Sequence, residues 1–167
     1  MAKIAVVCAA GKEGRLLVEE AIARGHEVTG FVRSADQAVN TAAKKVVKDL
    51  FDITATDLEG FDVVIDAFGA WTPETLPLHR TSLMHLCDVL SGSKTRLLVV
   101  GGAGSLYVNK EHTLQVKDLD SFPEAFKPLA NMQGLALADL RKRDDVLWTF
   151  LSPAGDFVAD GERTGEY

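Results

Sequence analysis

The stretch that decides the fold is "KIAVVCAAGKEGR", residues 3–15. It opens with an unbroken apolar run, passes through a turn carrying Gly11 and Gly14, and continues into a helix-forming segment. Gly14, Leu17, Val18, Ala21, Ile22 and Gly25 fall on one stripe of helical period, while Arg15, Glu19 and Glu20 lie off it. Glu20 also precedes Arg24 by four residues, the spacing of a helical ion pair. A strand, a glycine turn and a helix in that order suit a pyrophosphate. Glycines let the backbone approach the phosphates, and a helix N-terminus offers unpaired N–H groups and a positive dipole end. Ala10 has no side chain that caps a helix, so those N–H groups stay available. Gly14 lies on the buried stripe, where a glycine allows close helix–sheet packing. The discordant residue is Cys8, which stands where a first glycine is expected; a backbone needing positive φ there would be strained.

Working outward, short runs rich in Val, Ile and Leu recur at residues 4–8, 28–32, 46–47, 63–67, 97–100 and 147–151. Helix-like segments separate most of them. Apolar strands alternating with helices predict βαβ units and a parallel sheet covered on both faces. An antiparallel α+β arrangement fits less well, because its strands would alternate polar and apolar residues. A second helix is predicted over residues 77–90, with His79, Leu83, Leu86, Cys87 and Leu90 on one stripe. A third is predicted over residues 129–143, its closing "RKR" matching the negative end of a helix dipole. Residues 101–129 show little periodicity and read as a long binding loop or lid.

The totals narrow the classes. The chain has 167 residues, one domain's worth, and 47% of them are apolar, enough for a core. Its net charge of −6 argues against nucleic acid or an anionic membrane as the main partner. Cys8 and Cys87 both sit in apolar runs, which suggests a reducing compartment and no disulfide framework. With no membrane-length apolar run and no signal-peptide pattern, a cytoplasmic location is expected.

The end of the second strand sharpens the ligand. Arg33 lies 19 residues beyond Gly14. An acidic residue near that spacing grips the ribose hydroxyl of NAD, whereas an arginine suits the 2′-phosphate of NADP. Arg33 therefore favours NADP(H) over NAD(H), unless it is only a solvated surface arginine.

The segments "KIAVVCAAGKEGRLLVEEAIARGHEVTGFVR", "KDLFD", "GFDVVIDAFGA", "RLLVVGGAGSLYV" and "WTFLSPAGDFVADGERTGEY" together resemble the atypical short-chain dehydrogenase/reductases, the NADH-flavin-reductase-like group. NmrA-like proteins and biliverdin-IXβ/flavin reductases are relatives. The resemblance spans essentially the whole chain. It implies an α/β fold of Rossmann type, a doubly wound parallel sheet with strand order 3-2-1-4-5-6, lacking the C-terminal part that the family carries beyond "GERTGEY". It places Ala10, Gly11, Lys12 and Glu13 at the pyrophosphate and Arg33 at the 2′-phosphate. It sets Asp49 and Leu50 beside the adenine, and Ala67, Phe68 and Gly69 beside the inner ribose. Gly101, Gly102 and Ser105, with Ser152 and Pro153, fall near the nicotinamide.

The chemistry is constrained by an absence. Classical members of the superfamily use Tyr-x-x-x-Lys to protonate a substrate oxygen. This chain has only Tyr107 and Tyr167, and neither begins that motif. Near the equivalent position stand Phe126, Lys127, Pro128, Leu129 and Ala130. Flavin reduction needs no dedicated acid, because orienting two flat rings is enough for hydride transfer. The expected activity is thus NADPH-dependent reduction of a flavin or similar flat acceptor, with flavin as substrate and not as bound cofactor. A non-catalytic NADP(H)-binding sensor of NmrA-like type also explains the missing pair, and an eroded domain that binds nothing is a third reading. Ser105 is the candidate catalytic hydroxyl, or merely orders its turn. Trp71 and Tyr107 are candidates to contact the acceptor, or to pack their loops. His79, on an apolar stripe, reads as a satisfied core histidine. His26, His85 and His112 form no metal-ligand spacing. A small-molecule acceptor, no metal, and a monomer or homodimer complete the expectations.

Overall fold

The computed structural model describes residues 1–155 together with Gly161 and Gly165; the rest of "SPAGDFVADGERTGEY", including Tyr167, lies outside the described residues. Six strands form one parallel sheet: β1 (Lys3–Val7), β2 (Glu27–Val32), β3 (Lys44–Val47), β4 (Val63–Asp66), β5 (Arg96–Val100) and β6 (Leu147–Leu151). Their order is β3-β2-β1-β4-β5-β6, as the family resemblance implies. Val7 pairs with Phe31 of β2 on one side and Asp66 of β4 on the other, so β1 and β4 flank the point where the winding reverses. Open α/β sheets bind ligands there, beyond the carboxyl ends of the strands.

The unbroken apolar runs follow from burial on both faces. Ala5 and Val7 of β1 join Val64, Leu97 and Val99 beneath α3 (Leu78–Leu90) and α4 (Lys127–Leu140). Ile4 and Val6, of opposite parity, join Val28, Val32 and Ile65 beneath α1 (Lys12–Ala23). The predicted stripe of α1 buries Gly14, Val18 and Ala21, and Glu20 pairs with Arg24. The stripe of α3 buries His79, Leu83, Leu86, Cys87 and Leu90. Leu86 is wholly buried, so truncation to alanine costs about 2–5 kcal/mol.

Three elements differ from expectation. A short helix, α2 (Ala55–Leu58), opens on a capping box in which Thr54 and Asp57 bond reciprocally; four residues are too few to show a period. Helix α4 ends at Leu140, so "RKR" lies beyond it. Those cations serve ion pairs instead of the helix dipole. Lys142 meets Asp139, and Arg143 ties Asp88 at the end of α3 to Asp145 before β6. The aperiodic stretch after β5 is a folded loop with three single 3₁₀ turns, pinned by a bridge between Tyr107 and Gln115. No helix among the described residues is long and apolar enough to cross a membrane.

Candidate functional site

The turn after β1 is built by close approach. A Cβ placed on Gly14 would lie 2.3 Å from the Cys8 carbonyl oxygen and 2.9 Å from Ala9 Cα, so α1 starts directly against the turn. Gly11 is the helix N-cap and has no side chain to cap with, which moves the uncapped position one residue past Ala10. Gly11 N–H donates to Cys8 O and Ala9 N–H to Phe31 O, while Arg15 N–H closes the first helical bond on Gly11 O. The N–H groups of Ala10, Lys12, Glu13 and Gly14 have no partner among the described residues. That is the donor set a pyrophosphate requires.

Cys8 adopts φ +61°, in the left-handed region, so the chain does need there the conformation that favours glycine. Burial and the nearby Asp66 carboxylate push its thiol up to about 12, with Arg33 opposing and Asp49 adding. A thiol so held is no nucleophile. The same influences show that Arg33, Asp49 and Asp66 all converge on the end of β1. Arg33 is exposed just past β2; its backbone N–H donates to Gln37 Oε1, and its guanidinium has no ion pair among the described residues. Asp49 accepts from Phe51 N–H and caps the turn after β3. Leu50, 5% exposed, points into the core, so only its backbone is left to line an adenine pocket.

Beyond β4, Ala67 N–H donates to Val7 O, holding this strand end against β1. Phe68 packs edge-on against His79, with ring centroids 5.4 Å apart. Trp71 is 75% exposed, and its indole lies over Gly69. His79 is buried, its Nε2 3.0 Å from Ala70 O, and burial lowers its pKa, so it is a neutral core histidine.

Beyond β5 and β6, Gly101 N–H donates to Leu151 O. Ser105 Oγ donates to Gly102 O and lies 3.4 Å from Ser152 Oγ, so the hydroxyl also orders its turn. Pro153 follows, half-buried. A cleft of about 210 Å³ opens beside these serines, walled by Tyr107, Trp148, Phe150, Leu137 and Arg141. Tyr107 stacks on His112 and lies 5.9 Å below the Arg141 guanidinium. Trp71 does not line this cleft, so the two aromatic candidates stand in separate places. At the start of α4, Lys127 pairs with Glu124, and Ala130 packs against Gly104. Among the described residues, no group of three or more His, Cys, Asp or Glu is placed to hold a metal ion.

Sequence reasoning missed Asp66, Ser82 and Gln133. Asp66 is the last residue of β4, 4% exposed, and accepts one hydrogen bond, from Phe68 N–H. Burial pushes its carboxyl up to about 6. The available signal was a charge or hydroxyl at a core-facing position, since such groups are rarely buried without purpose.

Unpaired N–H groups after β1 and an unengaged arginine after β2, at the switch point of a 3-2-1-4-5-6 sheet, define a dinucleotide-binding Rossmann protein. The NAD(P)H-binding family matches residues 8–167, and the chain belongs to it. The chain is 45% identical to the uncharacterized protein YwnB of Bacillus subtilis, over 99% of this chain and 78% of that one. It is 52% identical to SP1627 of Streptococcus pneumoniae, "a putative NADH-flavin reductase", whose crystal structure superposes with a TM-score of 0.93 over 99% of this chain and 78% of that one. The Lmo0794 protein of Listeria monocytogenes is 36% identical with a TM-score of 0.67, over 95% of this chain and 82% of that one. The NAD(P)H-binding family and the name of SP1627 agree with the NADH-flavin-reductase-like resemblance read from the sequence.

Proposed function

We propose that the protein is an NADPH-dependent reductase that passes a hydride directly to a flat, conjugated acceptor, a free flavin in the first instance. One observation carries the reading: at the strand ends, where open α/β sheets hold ligands in a crevice, stand an unengaged Arg33 after β2 and an aromatic-walled cleft beside Ser105 and Ser152 after β5 and β6. The N–H groups of Ala10, Lys12, Glu13 and Gly14 hold the pyrophosphate, and Arg33 pairs with the 2′-phosphate. The backbone at Ala67, Phe68 and Gly69 and at Gly101 and Gly102 lines the crevice on the nicotinamide side. Bound there, the reduced nicotinamide supplies the hydride. Trp71 and Tyr107 shape access for the acceptor, and the Ser105 hydroxyl orients its polar edge. The name of the SP1627 relative, a putative NADH-flavin reductase, supports the flavin-reductase part of the reading. The acidic net charge fits a small-molecule partner better than nucleic acid, and two unpaired thiols fit the cytoplasm.

The test is a titration followed by turnover. NADPH binds to the wild type, and Arg33→Ala weakens that binding by tenfold or so while leaving NADH affinity unchanged, a loss of about 1.4 kcal/mol. Equal losses for both nucleotides refute the 2′-phosphate role. NADPH is then consumed when FMN or FAD is added. Cofactor binding without acceptor-dependent oxidation transfers the assignment to a non-catalytic NADP(H) sensor.

A further inference from the structure

Behind the crevice lies a small chamber between β4, β5, α3 and α4, lined by Asp66, His79, Ser82, Gln133, Gly101 and Phe68 among others. We propose that this chamber seats a water molecule through which Asp66 delivers a proton to the acceptor, with Ser82 holding the water in place. The proposal rests on the reductase reading and adds a proton source to it: hydride transfer itself needs no dedicated acid, but a placed one delivers the accompanying proton faster than bulk water does.

Four observations support it. The first is an orphaned hydroxyl. Ser82 is 1% exposed and its Oγ has no hydrogen-bond partner among the described residues. Buried hydroxyls are almost always paired, because leaving one unpaired is costly, so a partner is expected in the space it faces. The second is room. The chamber holds about 20 Å³, and a single water needs roughly 10–15 Å³ by that measure and two to four polar partners. Ser82 Oγ, the Asp66 carboxyl and the Gln133 amide supply them.

The third is the charge environment of Asp66. Only Phe68 N–H reaches its carboxyl, and no cation pairs with it among the described residues. The groups facing it are the Cys8 thiol from β1, His79, Ser82 and Cys87 from α3, and Gln133 from α4, with apolar Val99 beside it on β5. Both thiols are pushed up by burial and His79 is pushed down, so all three are neutral near pH 7. Apart from Phe68 N–H, nothing among the described residues stabilises a carboxylate there, and burial raises Asp66 to about 6, which keeps a usable fraction as acid near neutrality. The fourth is access. Phe68 and Gly101 of the chamber wall follow the carboxyl ends of β4 and β5, the side on which such sheets bind ligands, and a Cβ on Gly102 would fall 2.1 Å from Gln133 Oε1. Gln133 thus bridges the chamber and the loop carrying Ser105.

The step balances. The acceptor receives a hydride from the reduced nicotinamide on one atom and a proton, passed through the water, on a ring heteroatom. Asp66 is left as carboxylate and is reprotonated from solvent along the same route once the product leaves.

Infrared difference spectroscopy of the cofactor-free full chain reads the acid directly. A buried carboxylic-acid band titrating near pH 6 is expected in the wild type and absent in Asp66→Asn. In steady state with NADPH and FMN, Asp66→Asn lowers kcat by about 10²-fold, leaves the NADPH dissociation constant unchanged and abolishes the limb of the kcat–pH profile near 6. Ser82→Ala keeps the infrared band but lowers kcat severalfold, and its crystal structure lacks the chamber water seen in the wild type. Turnover with no titrating band, or with a pH profile that Asp66→Asn leaves intact, overturns this proposal alone. Wild-type protein that binds NADPH and reduces no acceptor overturns the reductase reading and this role together.

Discussion

Replacing Asp66 by asparagine should change stability in a way that depends on pH. The folded carboxyl titrates near 6 against an ordinary 3.8, a rise of about two units caused by burial and only partly offset by Phe68 N–H. At about 1.4 kcal/mol per unit the native state carries a penalty of about 3 kcal/mol once the group ionises. The sign follows from proton counting. Between pH 4 and 6 or so the folded chain holds a proton that the unfolded chain has released, so unfolding free energy falls as pH rises through that window. Below it the penalty is absent, and above it the penalty is complete. Asparagine never ionises, and its oxygen can accept the same Phe68 N–H. The variant-minus-wild-type difference should therefore climb by about 2–3 kcal/mol between pH 4 and pH 7.5, or roughly 4–12 °C in melting temperature for a domain of this size. Asp57 and Asp145, whose carboxyls are lowered by Lys48 and Arg143, tilt both proteins' curves equally and cancel in the difference. Urea unfolding of both proteins across this range is the assay. A difference that stays flat with pH would show that Asp66 titrates as an ordinary surface carboxyl, and the argument for a buried acid would fail with it.

Other outcomes can be checked alongside. Gly14→Ala forces a methyl group into the Cys8 carbonyl and Ala9 Cα, which are backbone atoms and cannot swing aside; it should cost about 3 kcal/mol or more in urea unfolding and abolish NADPH binding. Cys8→Val puts a β-branched side chain at φ +61° and should lose about 1–2 kcal/mol, whereas Cys8→Gly should stay within about 1 kcal/mol of wild type because relief of strain offsets the lost thiol contact. Equal stability of the two Cys8 variants would contradict the backbone assignment. Trp71→Phe should remove only part of the acceptor-induced fluorescence quench, since Trp148 walls the cleft beside Ser105 and Ser152; a quench that the substitution leaves wholly unchanged would place the acceptor away from Trp71.

The sheet was legible because parallel strands covered on both faces carry no polar alternation, so each of the six runs announced itself. The α1 and α3 stripes were legible for the same reason at helical period. What escaped was set by contacts distant in sequence. The "RKR" after α4 reads as a set of dipole partners until Arg143 is seen between Asp88 and Asp145. The short helix α2 is too brief for a period, although Thr54 and Asp57 spell a capping box. In the site, the glycine turn and Arg33 are local and could be read directly. Asp66, Ser82 and Gln133 meet only because β4, α3 and α4 enclose one chamber. Each interrupts an apolar pattern, and that interruption was the signal.

Cys8 shows why a departure from the glycine pattern need not end function. Its left-handed backbone is imposed by neighbours: Ala9 N–H is tied to β2, Gly11 N–H bonds back to the Cys8 carbonyl, and that same carbonyl occupies the space a Gly14 side chain would need. A left-handed non-glycine residue costs about 1–2 kcal/mol, which surrounding contacts of this kind can offset. No such compensation exists at Gly14, where the conflict is steric and with backbone. The turn therefore depends on its third glycine far more than on its first. Cysteine at the first position leaves the N–H groups of Ala10, Lys12, Glu13 and Gly14 without partners among the described residues, because it changes the energy of the turn and not its course.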